Sequence, residues 1–244
     1  MWEKFIDHIS GLITEVRNSQ GGNLEESAKL VAKTIESGGI IHTFGTGHSS
    51  LLAQEIFCRA GGVVPVNAIL DPCFLLSYGA IRSSSMERTQ GIASSAIEGH
   101  TIRSGDVAII ISNSGRNVAP VEMALKLKKM GLSIIALTSL KHSETVKSGH
   151  PSEKKLYDLA DVVLDNLGPR GDASFKVPGI KAPMGATSGI IGAILLHCVI
   201  IEAASILSSK GKAPAVFQSI NAETEQLEEL TKEFMKYKGR IKHF

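Results

Sequence analysis

Aromatic residues, cysteines and net charge are all scarce in this 244-residue sequence: 5% of residues are aromatic, three are cysteine, and the formal charge is +2. A charge so near zero argues against a nucleic-acid partner, because phosphate backbones are gripped by clustered Lys and Arg. Lys232, Lys236, Lys238 and Lys242 alternate with glutamates and read as a solvated helix face. Cys58, Cys73 and Cys198 are odd in number and widely spaced, with no C-x-x-C pair. They read as reduced core thiols of a cytoplasmic protein. No H-x-x-x-H pair or cysteine cluster supports a metal site, and no metal or cofactor is expected. Met1–His8 carries no basic flank followed by an apolar core, so no signal peptide is read. Internal repeats, low-complexity tracts and linkers are lacking, which favours one domain over two.

Apolar residues are plentiful: 43% of the chain is hydrophobic, mostly Ile, Leu, Val and Ala, with 24 glycines. That mix suits packed α/β layers. Helical periodicity covers 2–18 and 23–37, and Gly38-Gly39 stops the second helix. Strands are expected at 40–44, 63–66, 107–111, 133–137 and 162–164. Helices are expected at 49–60, around 86–98, after Asn117 up to Gly131, and just before the last strand. Residues 69–85 and 166–186 read as irregular loops, and long loops are often functional. Two helices, about 187–208 and 219–238, finish the chain. The alternation implies a mostly parallel, doubly wound sheet of about five strands. Gly189–Leu207 is apolar enough to raise the question of a membrane span. It contains His197 and Glu202 and begins at a plausible cap, Thr187 or Ser188. A helix buried in the protein or at a dimer interface is expected, with no membrane partner. A buried Glu202 would need a partner. Glu98 and His100 are expected on the surface.

Two polar turns stand where strands give way to helices. Ala108–Ile111 is a strand buried on both faces, followed by Ser112, Asn113, Ser114, Gly115, Arg116 and Asn117 and then a helix. Free backbone N–H groups and the positive end of the helix dipole meet there, which suits a dianion. Short hydroxyls add donors without bulk, so the segment reads as a holder for a phosphate ester. The other turn is Gly45-Thr46-Gly47-His48-Ser49-Ser50. It begins like a dinucleotide fingerprint, but Ser50 stands where the third glycine belongs and no acid ends the next strand, so NAD is not expected. Its glycines are also compatible with a simple tight turn. If the first and third strands are neighbours, both turns open into one crevice, and Ser49, Ser112, Ser114 and Asn117 surround one phosphorylated ligand.

These two segments, 45-GTGHSS-50 and 112-SNSGRN-117, with the helix and strand that follow, resemble the sugar isomerase (SIS) domain family over roughly residues 20–210. The chain as a whole looks similar to small stand-alone members related to phosphoheptose isomerases. Its Ser-Gly-Arg piece also resembles N-acetylmuramic acid 6-phosphate etherases. The resemblance implies a flavodoxin-like αβα sandwich spanning 1–244 as a single SIS domain, with helical extensions at both ends. It implies phosphosugar binding by Gly47, Ser49, Ser50, Ser112, Asn113, Ser114, Gly115 and Asn117, completed by Thr187 and Ser188. It implies homodimers or homotetramers with shared sites.

Aldose–ketose isomerisation needs a base between C1 and C2 and often a histidine to help open the ring. Glu55 roughly matches the region of the phosphoheptose isomerase base, and a purely structural ion pair is the alternative. His48 or His197 is the assisting histidine, His197 matching a late helical histidine of those enzymes. Arg170, Asp172 and Lys176 are potential contacts for sugar hydroxyls. The expected function is sugar-phosphate isomerisation. The alternatives are a non-catalytic phosphosugar sensor or assembly adaptor, and an etherase-type lyase.

Overall fold

The computed structural model describes residues 1–219 and 227–243. In chain order the elements are α1 (Trp2–Ser19), α2 (Gly21–Glu36), β1 (Ile41–Gly45), α3 (Ser49–Glu55), β2 (Val66–Ala68), α4 (Ala80–Met86), α5 (Ile92–Ala96), β3 (Val107–Ile111), α6 (Val118–Lys129), β4 (Ser133–Thr138), α7 (Leu140–Ser143), α8 (Leu156–Leu159), β5 (Val162–Asp165), β6 (Ala173–Phe175), β7 (Met184–Ala186), α9 (Ser188–Ser209) and α10 (Leu227–Lys236).

Five strands form one parallel sheet in the order β2-β1-β3-β4-β5. Strand β3 is fully buried, and β4 is buried beyond Ser133, as their apolar runs require. The chain leaves β1 outward to β2 and then crosses back to β3, so β1 and β3 are neighbours at the point where strand order reverses. Gly45 at the end of β1 stands opposite Ile111 at the end of β3. The two polar turns therefore leave the sheet side by side, where such sheets bind ligands.

Alternation along the strands splits the core in two. Ile41, Ile109, Ile111, Ile135, Leu137 and Leu164 face α2, α3 and α9. Phe44, Ala108, Ile110, Ile134 and Ala136 face α5, α6 and α8. The apolar helix α9 packs on α2 and α3, with Ile191, Leu195, Leu196 and Val199 buried. By length and composition alone it could cross a membrane. Glu202 is on its exposed side, so no buried carboxylate needs a partner there.

Several boundaries differ from expectation for identifiable reasons. Helix α3 stops at Glu55 instead of running to Ala60, and Cys58 takes a left-handed φ of 44°. Strand β2 starts at Val66 because Val63 bridges antiparallel to Val216. Residues 69–85 hold two 3-10 turns and α4, and the helix expected at 86–98 shrinks to α5. The 166–186 loop contains an antiparallel hairpin, β6 with β7. The last expected helix is α10 from Leu227, and its earlier residues 220–226 lie outside the described residues. Only Cys73 is a core thiol: Cys58 and Cys198 are exposed, and all three are free. His100 is half-buried and bonded to Asn67, not a surface residue.

Candidate functional site

The first turn is held by its own backbone. Ser49 N–H donates to Thr46 C=O and Ser50 N–H to Gly47 C=O, closing a tight entry into α3. A side chain at Gly45 would collide with the Ser49 carbonyl. Ser50 is buried, and its hydroxyl donates back to Gly47 C=O at 2.7 Å. Its hydroxyl is thus spent inside the turn. His48 and Ser49 face outward, and Thr46 Oγ1 donates to Glu87 Oε2 at 2.7 Å.

The second turn is tied to the strands beside it. Ser112 is buried, and its Oγ accepts from Gly115 N–H at 3.3 Å. Asn113 C=O accepts from Ser139 N–H at 3.0 Å and from Thr138 Oγ1 at 3.2 Å. Gly115 has φ 59°, and an added Cβ would lie 2.9 Å from Ser143 Oγ, so glycine is required there. Ser114 is half-buried, and its hydroxyl has no partner among the described residues. Asn117 is the extended residue before α6, and its side chain makes no capping bond. Ala119 N–H donates to Glu87 C=O, while the earlier N–H groups of α6 have no intrahelical acceptor. Pro120 in the same turn has no N–H, so Val118 N–H and the Ser114 hydroxyl are the free donors at this helix mouth.

Next to the turns is a cavity of about 470 Å³, lined by His48, Ser49, Glu55, Asn113, Asn166 and Asp172, with Ser188 and Gly189 of α9 and the apolar Leu51, Leu52, Ile111, Leu137, Ala186, Ile190 and Ala193. Of the residues singled out from sequence, His48, Ser49, Glu55, Asn113, Asp172 and Ser188 line it. Gly47, Ser50, Ser112, Ser114, Gly115, Asn117, Thr187 and His197 do not. Strand β3 ends at Ile111, so the turn itself sets these directions: Asn113 is held at the cavity by its bonds to Ser139, Thr138 and Asn166.

Glu55 ends α3, and its Oε1 lies 3.1 Å from His197 Nε2 on α9, across a sequence separation of 142. The imidazole N–H donates, since a carboxylate only accepts. Arg59 pairs with the same carboxylate. The group is a third exposed, within reach of both solvent and the cavity wall.

Asp172, a potential sugar contact by its place in the sequence, is committed elsewhere. Its Oδ1 accepts from the N–H groups of Thr187 (3.0 Å) and Ser188 (2.8 Å), and its Oδ2 from Ser188 Oγ (2.7 Å). Neither Thr187 nor Ser188 caps α9 with its own side chain, as expected of them. A carboxylate from 15 residues upstream does so. The N-terminus of α9 thus already carries an anion, whereas that of α6 does not. Arg170 lies nearby: burial lowers the pKa of His142 on α7, and the charges of Arg170 and Arg116 lower it further against the opposing pull of Asp172. Among the described residues no cluster of three or more His, Cys, Asp or Glu is arranged to hold a metal.

Asn166, Asp172 as a helix cap and Glu87 are the residues that sequence reasoning missed. Asn166 directly follows the edge strand β5, at the carboxyl end of the sheet where such folds bind ligands, and that is its available signal.

Comparison with known proteins adds the following. The family model described as SIS domain matches residues 4–139. A UPF0309 protein of Halalkalibacterium halodurans is 40% identical over 97% of this chain and 100% of its own length. A UPF0309 protein of Geobacillus thermodenitrificans is 39% identical over 99% of this chain and 96% of its own. Among solved structures, phosphoheptose isomerases from Neisseria gonorrhoeae and Francisella tularensis superpose with TM-scores of 0.52 and 0.54. They are 18% and 16% identical, and the alignments cover 84% and 82% of this chain and 98% and 95% of theirs. At that identity the likeness concerns the fold alone.

Proposed function

Because the chain belongs to the SIS domain family and to its UPF0309 group, we propose that it binds a sugar phosphate and interconverts its aldose and ketose forms. The observation that carries this reading is the Glu55–His197 pair, 3.1 Å apart at the edge of the cavity that the two strand-end turns share. The phosphate sits at the mouth of α6, where the Ser114 hydroxyl and Val118 N–H are free, and not at α9, which Asp172 has neutralised. Anchored there, the ester leaves the other end of the sugar lying in the cavity toward Glu55. Glu55 takes the proton from one of the first two carbons and returns it to the other. His197 holds the carboxylate and assists at the sugar oxygens.

A second copy of the chain completes the surface around this pair. Leu51 and Ile190 at the cavity rim and Ile201 further along α9 are exposed, at 56%, 39% and 67%. Large apolar side chains left exposed beside a site are a feature of interfaces.

The test is NMR of five- to seven-carbon sugar phosphates in heavy water with the purified protein. Deuterium entering the carbon beside the carbonyl, abolished by Glu55→Gln, is the expected result. Binding without any exchange would leave a sensor or adaptor in place of an enzyme.

A further inference from the structure

The cavity meets its ligand with an amide whose direction is dictated by a neighbour. Asn166 is fully buried, and its Oδ1 accepts from Gly168 N–H at 2.9 Å. A backbone N–H only donates, so the oxygen of Asn166 must point to Gly168 and its nitrogen the other way. That nitrogen donates to Asn113 Oδ1 at 2.9 Å. Asn113 therefore turns its own NH2 away from Asn166. With its side-chain oxygen held by Asn166 and its backbone carbonyl by Ser139 and Thr138, that NH2 is the end of the Asn113 side chain without a protein partner among the described residues. Both asparagines line the cavity. Gly168 is itself fixed, since Ser139 Oγ donates to its C=O at 2.7 Å, and an added Cβ there would lie 2.9 Å from Asn166 Oδ1. The order Gly168, Asn166, Asn113 thus has one donor sense from end to end.

We propose that Asn166 is a positioning residue that holds the Asn113 NH2 toward the cavity as the donor to a sugar oxygen of the bound phosphosugar, a carbonyl or the oxyanion formed from it. The inference rests on the function proposed above. Asn113 serves the sugar and not the phosphate, because it lines the cavity beside Asn166 while the free donors for the ester lie at α6. A donor fixed before binding costs no reorganisation when charge develops on the oxygen.

Asn166→Asp tests it with almost no change in size. Gly168 N–H still donates to one carboxylate oxygen, and the other now accepts where Asn166 donated. The Asn113 amide rotates to donate to it and shows its oxygen to the ligand. Affinity for ribose 5-phosphate, or for whichever sugar phosphate in the panel exchanges deuterium, should fall about tenfold or more, as expected for an unmet hydrogen bond. Affinity for inorganic phosphate should change less than twofold; the melting temperature should fall because the new carboxylate is buried, so both affinities are measured well below it. Equal loss for both ligands, or loss for neither, would overturn the proposal. Side-chain amide exchange in the ligand-free protein decides the geometry separately: one Asn166 N–H should exchange slowly and both Asn113 N–H protons fast. The reverse pattern would overturn the assignment even if sugar phosphates bind. If no sugar phosphate binds the wild type, the functional reading fails, and the exchange pattern still decides the direction of the amides.

Discussion

Glu55 and His197 meet at 3.1 Å although one closes the helix after the first strand and the other lies near the middle of the last long helix. Neighbours along α9 cannot make this contact, and only the packing of α3 on α9 brings it about. Glu55→Gln should slow isomerisation by about 100-fold to 10,000-fold, the usual worth of a general base. His197→Ala should act in the same direction by less. Sugar-phosphate affinity should change little in either variant, as isothermal titration would report.

Ser114 and Ser50 give opposite predictions despite similar places in their turns. Ser114 has a free hydroxyl at the α6 mouth, so Ser114→Ala should weaken binding of sugar phosphate and inorganic phosphate alike by about fivefold to tenfold, with the fold intact. Ser50 spends its hydroxyl on Gly47 C=O. Ser50→Ala should therefore lower the melting temperature more than it lowers affinity. Thermal shift with and without ligand separates the two.

Asp172 caps the 22-residue α9 from a distance. Asp172→Ala should cost about 1 kcal/mol, as loss of a capping carboxylate does. For a chain of this size that amounts to about 2–4 °C in Tm.

Stability should depend on pH through a buried group away from the cavity. His42 Nε2 donates to Asp106 Oδ2 at 3.1 Å, Asn67 bridges His42 and His100, and Arg240 closes on Asp106. Burial, then the charges of Lys242, His243 and His42, push His100 down to about 4. A histidine lowered on folding binds fewer protons folded than unfolded, so its contribution is full above the usual value near 6.5 and is lost as the pH falls toward 4. Burial alone would raise Asp106, but bonds from His42, Arg103 N–H and Ile40 N–H outweigh it and bring the carboxyl down to about 2. Its contribution is present above the usual carboxylate value and is lost between there and about pH 2. Thermal melts should show Tm falling from pH 6.5 to 4, and His100→Phe should flatten that segment.

If a second copy covers α9, Ile201→Glu should shift the protein toward a monomer in sedimentation velocity and leave its far-UV spectrum unchanged. The wild type should sediment as a dimer or larger.

The sheet was legible because its strands announce themselves locally. Ala108–Ile111 and Ile134–Leu137 are apolar runs bounded by polar turns, and the turn chemistry placed both loops at one edge. Features that depend on distant partners were not legible. Phe175 of β6 packs edge-on against Phe5 of α1, so the hairpin in the 166–186 loop is fixed by a residue far away in sequence. Val63 left the expected second strand for Val216. The same limit applied to the site: Ser112 and Ser50 carried the right chemistry, yet burial and bonds to their own turns decide what their hydroxyls do. Asn166 was overlooked because a single asparagine after a strand has no pattern of its own.

The most direct measurement is a crystal structure of the protein soaked with a sugar phosphate. The account predicts density for the ester at the mouth of α6, bonded to Ser114, and the first two sugar carbons beside Glu55. An ester lodged against Glu55 and His197, or one bound outside the cavity shared by the two strand-end turns, would contradict it.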